Sequence, residues 1–324
     1  MNIAELLAAF PTRRILVVGD LMLDHYILGD VHRISPEAPV PVVQATGQTR
    51  VAGGAANVAH NLAAVGVRTE VFGLLGQDEA ARFLTEILEQ NGVAAARCPR
   101  RAGTPTIVKT RVVARRQQLC RIDHEGPRSL YDPLSDEAGA AALAAAVAEA
   151  DAVIVSDYAK GVVTQALLDR VRELAKASGA LVAVDPKPSR RLDLRGFGLL
   201  TPNKGEALQL AGLAEPAAGE EYPLADICAR IHAEFAPAVL VVTLGADGMA
   251  ISRGGRVEQV LPTEAREVFD VSGAGDTVIA FLAAALACGA LPVAAARIAN
   301  LAAGVVVSKM GTATVSPAEL MKLS

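Results

Sequence analysis

Short apolar runs that stop abruptly at polar residues, separated by helix-length stretches, constrain the fold of this chain more than any other feature. From Ala152 the alternation is regular: AVIVS, a helical stretch from Thr164 to Ser178, ALVAVD ending at Asp185, and a run leading into TPNKGEAL. Ile15 to Gly19 and Glu70 to Gly76 have the same character, the second followed by a helical stretch from Asp78 to Asn91. Runs that are apolar without alternation suit strands buried on both faces, as in a parallel sheet. Strand, helix and parallel strand in succession make βαβ units. The expected fold class is therefore α/β with a mostly parallel central sheet. At 324 residues, 52% of them hydrophobic, the chain is long enough for a sizeable core, and no composition break marks an independent second domain.

Composition excludes several classes. No apolar run is long enough to span a membrane, and the N-terminus MNIAELLAAFPTRR has Glu5 where a secretory signal has basic residues. A cytoplasmic protein is expected, with no membrane partner. Cys98, Cys120, Cys228 and Cys288 lack CxxC spacing and read as free thiols. A net charge of −4 with 3% aromatic residues and no Trp argues against a nucleic-acid partner.

The polar residues that end the runs are the candidate site, because doubly wound sheets bind ligands beyond the carboxyl ends of their strands. Asp20 and Asp24 follow the first run, and either is a ligand group or a loop cap. Gly53-Gly54-Ala55-Ala56-Asn57 opens a helix; its glycines allow close backbone approach, and Asn57 offers both a donor and an acceptor. Asp157 and Lys160 lie in SDYAKG, and Lys187 in DPK. Asn203 and Glu206, three apart at a helix start, suit a hydrated Mg²⁺ or a plain capping box. In TPTIVKTRVVARRQQLCRID, strand alternation puts Lys109, Arg111, Arg115 and Gln117 on one face, either to bind an anionic group or to protect an edge strand by charge. The Pro-rich residues 31–51 suggest an excursion from the main fold with a short strand at Val40 to Gln44. Finally, in DVSGAGDTVIAFLAAA the turn Gly273-Ala274-Gly275 leads into Asp276 and a long apolar helix, which is a phosphate site or a capped helix start.

The order of these motifs resembles the ribokinase-like (pfkB) family of carbohydrate kinases from about residue 13 to the end. GGAANVA at Gly53 and DVSGAGDTVIAFLAA at Asp270 resemble its two signatures, with NxxE at Asn203 to Glu206 and T-x-G-x-x-G at Thr243 to Gly248 between them. Within the family, GDLMLDHYILGDVHRISPEAPVPVV, RVVARRQQLCRID, SDYAKGVVT, VDPK and TPNKGEAL are most similar to the kinases of D-glycero-β-D-manno-heptose 7-phosphate. The resemblance implies a three-layer ribokinase-like fold over 1–324, a single kinase domain with a small β lid from about 31–47 and 104–123, and a homodimer paired through that lid. It implies transfer of the ATP γ-phosphate to the anomeric O1, a step toward ADP-heptose and lipopolysaccharide. With no HxGH motif before the chain stops, it also implies the stand-alone form.

By the same resemblance Asp276 is the catalytic base, and the N–H groups of Ala274, Gly275 and Asp276 hold the migrating phosphoryl oxygens beside Gly273. Placed at a helix N-terminus, Asp276 is expected to have a low pKa and to take its proton late. Asp24, Gly53, Gly54 and Asn57 would hold the sugar, with Asp157 and Lys160 nearby. Lys109, Arg111, Arg115, Arg116 and Lys187 are the candidates for the 7-phosphate end, and Gln118 is a further substrate-binding candidate. Asn203 and Glu206 would position Mg²⁺ through water; Thr243, Gly245, Gly248 and Asn300 would flank the nucleotide; Asp270 and Ser272 would start a K⁺ site. Kinases of other sugars and a non-catalytic sugar-binding protein are the competing readings. A dehydrogenase is not supported, since no GxGxxG follows the first strand, and neither is a Walker-type ATP site, since GxxxxGK[ST] is absent.

Overall fold

The computed structural model describes residues 1–324 apart from Arg116, Ala218, Arg266, Met310 and Ser324. Its main sheet runs in the order Arg256–Leu261, Met249–Arg253, Val239–Thr243, Leu199–Leu200, Leu181–Asp185, Ala152–Ser156, Arg14–Gly19, Arg68–Phe72, Val93–Ala94. All neighbours pair in parallel except the two hairpin-linked strands at one edge. This is the expected α/β class.

Strand alternation divides the core into two layers. Ile15 and Val17 point into a cluster with the helices Ile3–Ala9, Ala55–Ala64, Glu79–Gln90, Ala274–Ala287 and Pro292–Val306. Leu16 and Val18 point the other way, into a cluster with the helices Glu137–Ala148, Gln165–Ser178, Lys204–Leu210 and Leu224–Phe235. Ala274–Ala287 is buried from Asp276 through Ala285, and its run of alanines lets it lie close to both Ala55–Ala64 and the central strands. No helix among the described residues is long and apolar enough to cross a membrane.

A second, four-stranded sheet is ordered Pro41–Gly54, Leu21–Ile34, Ile107–Ala114, Gln117–His124. Its first hairpin is longer than the short strand expected at Val40 to Gln44: two strands of 14 residues each pair from Leu21↔Gly54 out to Ile34↔Pro41. The prolines of SPEAPVP fall at the hairpin's end, where a missing N–H costs little. The basic segment also differs from a single continuous strand. Arg115 has φ 49 and turns the chain between Ile107–Ala114 and Gln117–His124.

The two sheets meet at Asp20. Its carboxylate is fully buried and accepts N–H bonds from Tyr158 (2.9 Å), Lys160 (3.1 Å) and Val162 (3.0 Å). Of the two early aspartates, Asp20 is thus the structural one: it shapes the SDYAKG loop. In Asp20→Asn one of those donors loses its acceptor, and urea denaturation should register a loss of about 2 kcal/mol.

Candidate active site

The carboxyl ends of four parallel strands and the N-terminus of Ala274–Ala287 converge on a cleft of about 200 Å³. Asp157, Asp185, Lys187, Glu206, Gly275 and Asp276 face it. Gly273 sits at φ 79 and turns the chain into the helix. Ala274 N–H donates to the Val271 carbonyl at 3.2 Å, which corrects the expectation of three free donors. The N–H groups of Gly275 and Asp276 have no protein acceptor among the described residues, and a Cβ at Gly275 would meet nothing within 4 Å. Open space against two unpaired donors at a helix N-terminus suits a phosphoryl group.

Asp276 is 4% exposed. Its Oδ2 accepts from Asn57 Nδ2 at 2.7 Å and its Oδ1 from Tyr158 Oη at 2.5 Å. Burial pushes its pKa up to about 6, although the bonds from Tyr158 and Asn57 pull it down. The low value expected from the helix terminus is therefore wrong: desolvation outweighs the dipole, and the reason for a late proton transfer goes with it. Behind Asp276, Asn61 Nδ2 donates to the Asn57 carbonyl (3.0 Å), and Thr277 Oγ1 lies 3.0 Å from Asn61 Oδ1 and 3.1 Å from the Gly273 carbonyl. Asn57, expected to hold a sugar hydroxyl, thus has its amide committed first to the base.

Asp24 comes from the second sheet, is 4% exposed and forms an ion pair with Arg111. Gly53 makes this possible, since a Cβ there would lie 2.4 Å from Asp24 Oδ2; Gly54, at φ 57, passes close to the Asp20 carbonyl. Lys109 lies across the pairing from Asp24, its Nζ 5.3 Å from the centre of the Tyr158 ring. Lys160 pairs with Glu125 at 2.5 Å and Arg121 with Asp123 at 2.7 Å, whereas Lys109 makes no ion pair among the described residues. Its pKa is lowered, mainly by burial; Asp24 opposes the shift, and Lys160, Arg111 and Arg121 add to it.

The structure does not bring all the expected cations together. Arg115 is exposed at the turn, six residues beyond Lys109 and so about 20 Å along the strand, and the neutral Gln118 is exposed on the returning strand opposite Val113, four positions beyond Lys109, about 13 Å. Arg116 lies outside the described residues. Lys187 is on the opposite side of the base, its Nζ 2.8 Å from Glu206 Oε1. Asp157 pairs with Arg190 at 3.0 Å and accepts from Ala159 N–H at 2.7 Å; burial raises its pKa to about 6.

Asn203 and Glu206 form a reciprocal capping box, each side chain bonded to the other's backbone N–H at 3.0 Å. The two readings of their spacing are compatible, because Glu206 also faces the cleft and pairs with Lys187. Thr243 bridges to Asn203 at the same edge. Gly245 (φ 65) has open space at its Cβ position, whereas Gly248 (φ 90) is required by the hairpin, a Cβ there falling 2.0 Å from the Leu261 carbonyl. Asn300 donates to the Pro262 carbonyl at 2.6 Å and lines a separate cavity of about 960 Å³ beside Ile3, Leu261 and Leu301. Asp270 accepts from Ser272 N–H at 2.9 Å and Gly311 N–H at 3.0 Å, tying two loops together beside the helix start.

Sequence reasoning assigned no role to Tyr158, Asp185, Asn61, Thr277 or Arg190. Tyr158 and Asp185 carry the same strand-end signal as the residues it did single out. Burial raises the Asp185 pKa well above its ordinary value, with repulsion from Glu206 and Asp276 added.

The family model of pfkB family carbohydrate kinases matches residues 12–319. The chain belongs to the pfkB family of carbohydrate kinases. Among curated relatives of this family member, the bifunctional protein HldE of Halorhodospira halophila is 48% identical over 316 residues, covering 97% of this chain and 64% of the relative. That of Azorhizobium caulinodans is 45% identical over 317 residues, covering 97% and 65%. The chain thus spans just under two thirds of these relatives' length. Among solved structures, Arabidopsis thaliana ribokinase complexed with ribose and ATP superposes with a TM-score of 0.77 at 22% identity, covering 96% of this chain and 98% of that one. This likeness places the fold as ribokinase-like.

Proposed function

We propose that this carbohydrate kinase transfers the γ-phosphate of ATP to the anomeric O1 of D-glycero-β-D-manno-heptose 7-phosphate, and that it does so in the cytoplasm within one kinase domain. The observation that carries the substrate class is Lys109: a half-buried ammonium, free of any carboxylate partner among the described residues, beside Arg111, Lys160 and Arg121 and one ring away from the base. A sugar carrying a phosphate at its far end supplies the anion that Lys109 lacks.

In this reading Asp276, largely ionised at neutral pH, accepts the O1 proton as the oxygen attacks the γ-phosphorus. The N–H groups of Gly275 and Asp276 hold the equatorial oxygens in transit, and Lys187 meets the phosphates from the Glu206 side. Asp24, held by Arg111 and given room by Gly53, accepts from a sugar hydroxyl. Asn203 and Glu206, an all-oxygen pair at the cleft wall, fit a hydrated Mg²⁺, which when bound neutralises phosphate charge. Asp270 fits a monovalent cation such as K⁺, since its two backbone hydrogen bonds leave lone pairs free. Thr243 and Gly245 border the nucleotide's phosphates.

The four-stranded sheet serves as a lid over the sugar. Its exposed apolar side chains, among them Ile34 at 61% and Ile122 at 57%, and its two open edges support pairing with a second copy.

Lys109→Met tests the substrate reading. Its KM for the 7-phosphate should rise about 10- to 30-fold while KM for ATP stays within about twofold. Equal loss on phosphorylated and unphosphorylated sugars would remove Lys109 from phosphate recognition.

A further inference from the structure

We infer that Tyr158 is a positioning residue for the base: its hydroxyl holds the buried Asp276 carboxylate in its ionised form. The inference rests on the proposal that Asp276 is that base.

The geometry is specific. The Oη–Oδ1 contact of 2.5 Å is of the length found when a hydroxyl donates to an ionised carboxylate. Asn57 occupies the other oxygen, so the carboxylate is gripped from two sides by neutral donors from separate elements. The tyrosine has little freedom to let go. Its backbone N–H is fixed on the buried Asp20, which also fixes Lys160 and Val162, so one inaccessible carboxylate sets the whole loop that presents the ring. On the ring, Lys109 of the second sheet makes a cation–π contact. The side chain that grips the base is therefore also a surface on which the lid strand rests.

A buried carboxylate with nothing donating to it takes up a proton and cannot serve as a base. The charged and titratable groups facing Asp276 are Tyr158, Asp24 from the strand Leu21–Ile34, Lys109 from Ile107–Ala114 and Asp185 at the end of Leu181–Asp185, with Asp157, Lys187 and Glu206 farther along the same cleft. Asp24 disfavours its charge and Lys109 favours it, while Asp276 in turn disfavours the charge of Asp185. The phenol's own proton stays in place, because burial and the neighbouring carboxylates raise its pKa far above neutrality. It remains a donor across the working pH range.

Tyr158→Phe keeps the ring and the Lys109 contact and removes only the donor. In whole protein carrying ¹³Cγ-aspartate, with the Asp276 resonance assigned by its absence from Asp276→Asn, the Asp276 titration should move up by about one pH unit, about tenfold in its ionisation constant. Replacing Tyr158 by 3-fluorotyrosine, a stronger donor of nearly the same size, should move it down. Together these opposite shifts support the assignment; a titration that stays in place in both overturns it. Because the readout needs no substrate, it separates this inference from the substrate proposal: the shifts can appear in a protein that phosphorylates some other sugar. In turnover, the acidic limb of kcat for Tyr158→Phe should move up with the titration while KM for ATP holds.

Discussion

Asp276→Asn should lower kcat by about 10³-fold and leave KM for ATP and sugar within a few-fold of wild type, since general base catalysis contributes about 10² to 10⁴ in rate. The side chain keeps its size and Tyr158 still finds an acceptor, so binding survives while proton acceptance does not; the new amide then faces Asn57 Nδ2, a cost to stability that does not change with pH. The same substitution carries a second signature. A carboxyl whose pKa is raised on folding, here from 3.8 to about 6, contributes stability that is fully present below the unfolded value and is lost as pH rises through the folded one. Asn has no such loss. Relative to wild type, Asp276→Asn should therefore gain up to about 3 kcal/mol between about pH 4 and pH 7 in chemical denaturation. A variant that is inactive yet gains in stability with rising pH would show that the wild-type site holds its charge at the expense of the fold. A variant of flat relative stability would mean that Asp276 is not desolvated as its burial indicates.

Gly273→Ala should be nearly as damaging, although it touches no ligand. The residue sits at φ 79, where a side chain is strained, and its Cβ would lie 2.7 Å from Asn57 Nδ2. Asn57 cannot then keep its bond to Asp276, and the turn that aims the Gly275 and Asp276 N–H groups must shift. A displacement of about 1 Å at such a site costs about 10²-fold in rate, so kcat should fall about 10²- to 10³-fold. Gly275→Ala is the control: its Cβ meets open space in the free protein, so the fold should be intact and any loss should appear only in turnover. If Gly273→Ala retained normal kcat, the Gly273-to-Asp276 turn would not be the phosphoryl cradle.

The strands and the strand-end residues were legible in the sequence because burial on both faces leaves uninterrupted apolar runs, and each run stops where the chain reaches the cleft. Asn203 and Glu206 were legible as a spacing, and the structure adds that one Glu206 oxygen closes the cap while the other meets Lys187. Arg115 was misread as strand because ARRQ has neither Gly nor Pro to mark a turn, and only the backbone reveals its positive φ. Asp276 was read at a helix start, where the structure has it, but given the wrong acidity: a helix start is visible in sequence, whereas its burial among Asn57, Tyr158 and the second sheet depends on segments more than a hundred residues away. Tyr158 escaped for the same reason. Its partners Asp20, Lys109 and Asp276 come from three separate regions of the chain, and no local pattern connects them.

The central claim is most directly tested by ADP release from Mg-ATP with D-glycero-β-D-manno-heptose 7-phosphate, the unphosphorylated heptose, ribose and fructose 6-phosphate offered in parallel. The account predicts turnover confined to the heptose 7-phosphate, with the new phosphate on O1. Preferred turnover of ribose, of fructose 6-phosphate or of the unphosphorylated heptose, or no turnover of any of them, would contradict it.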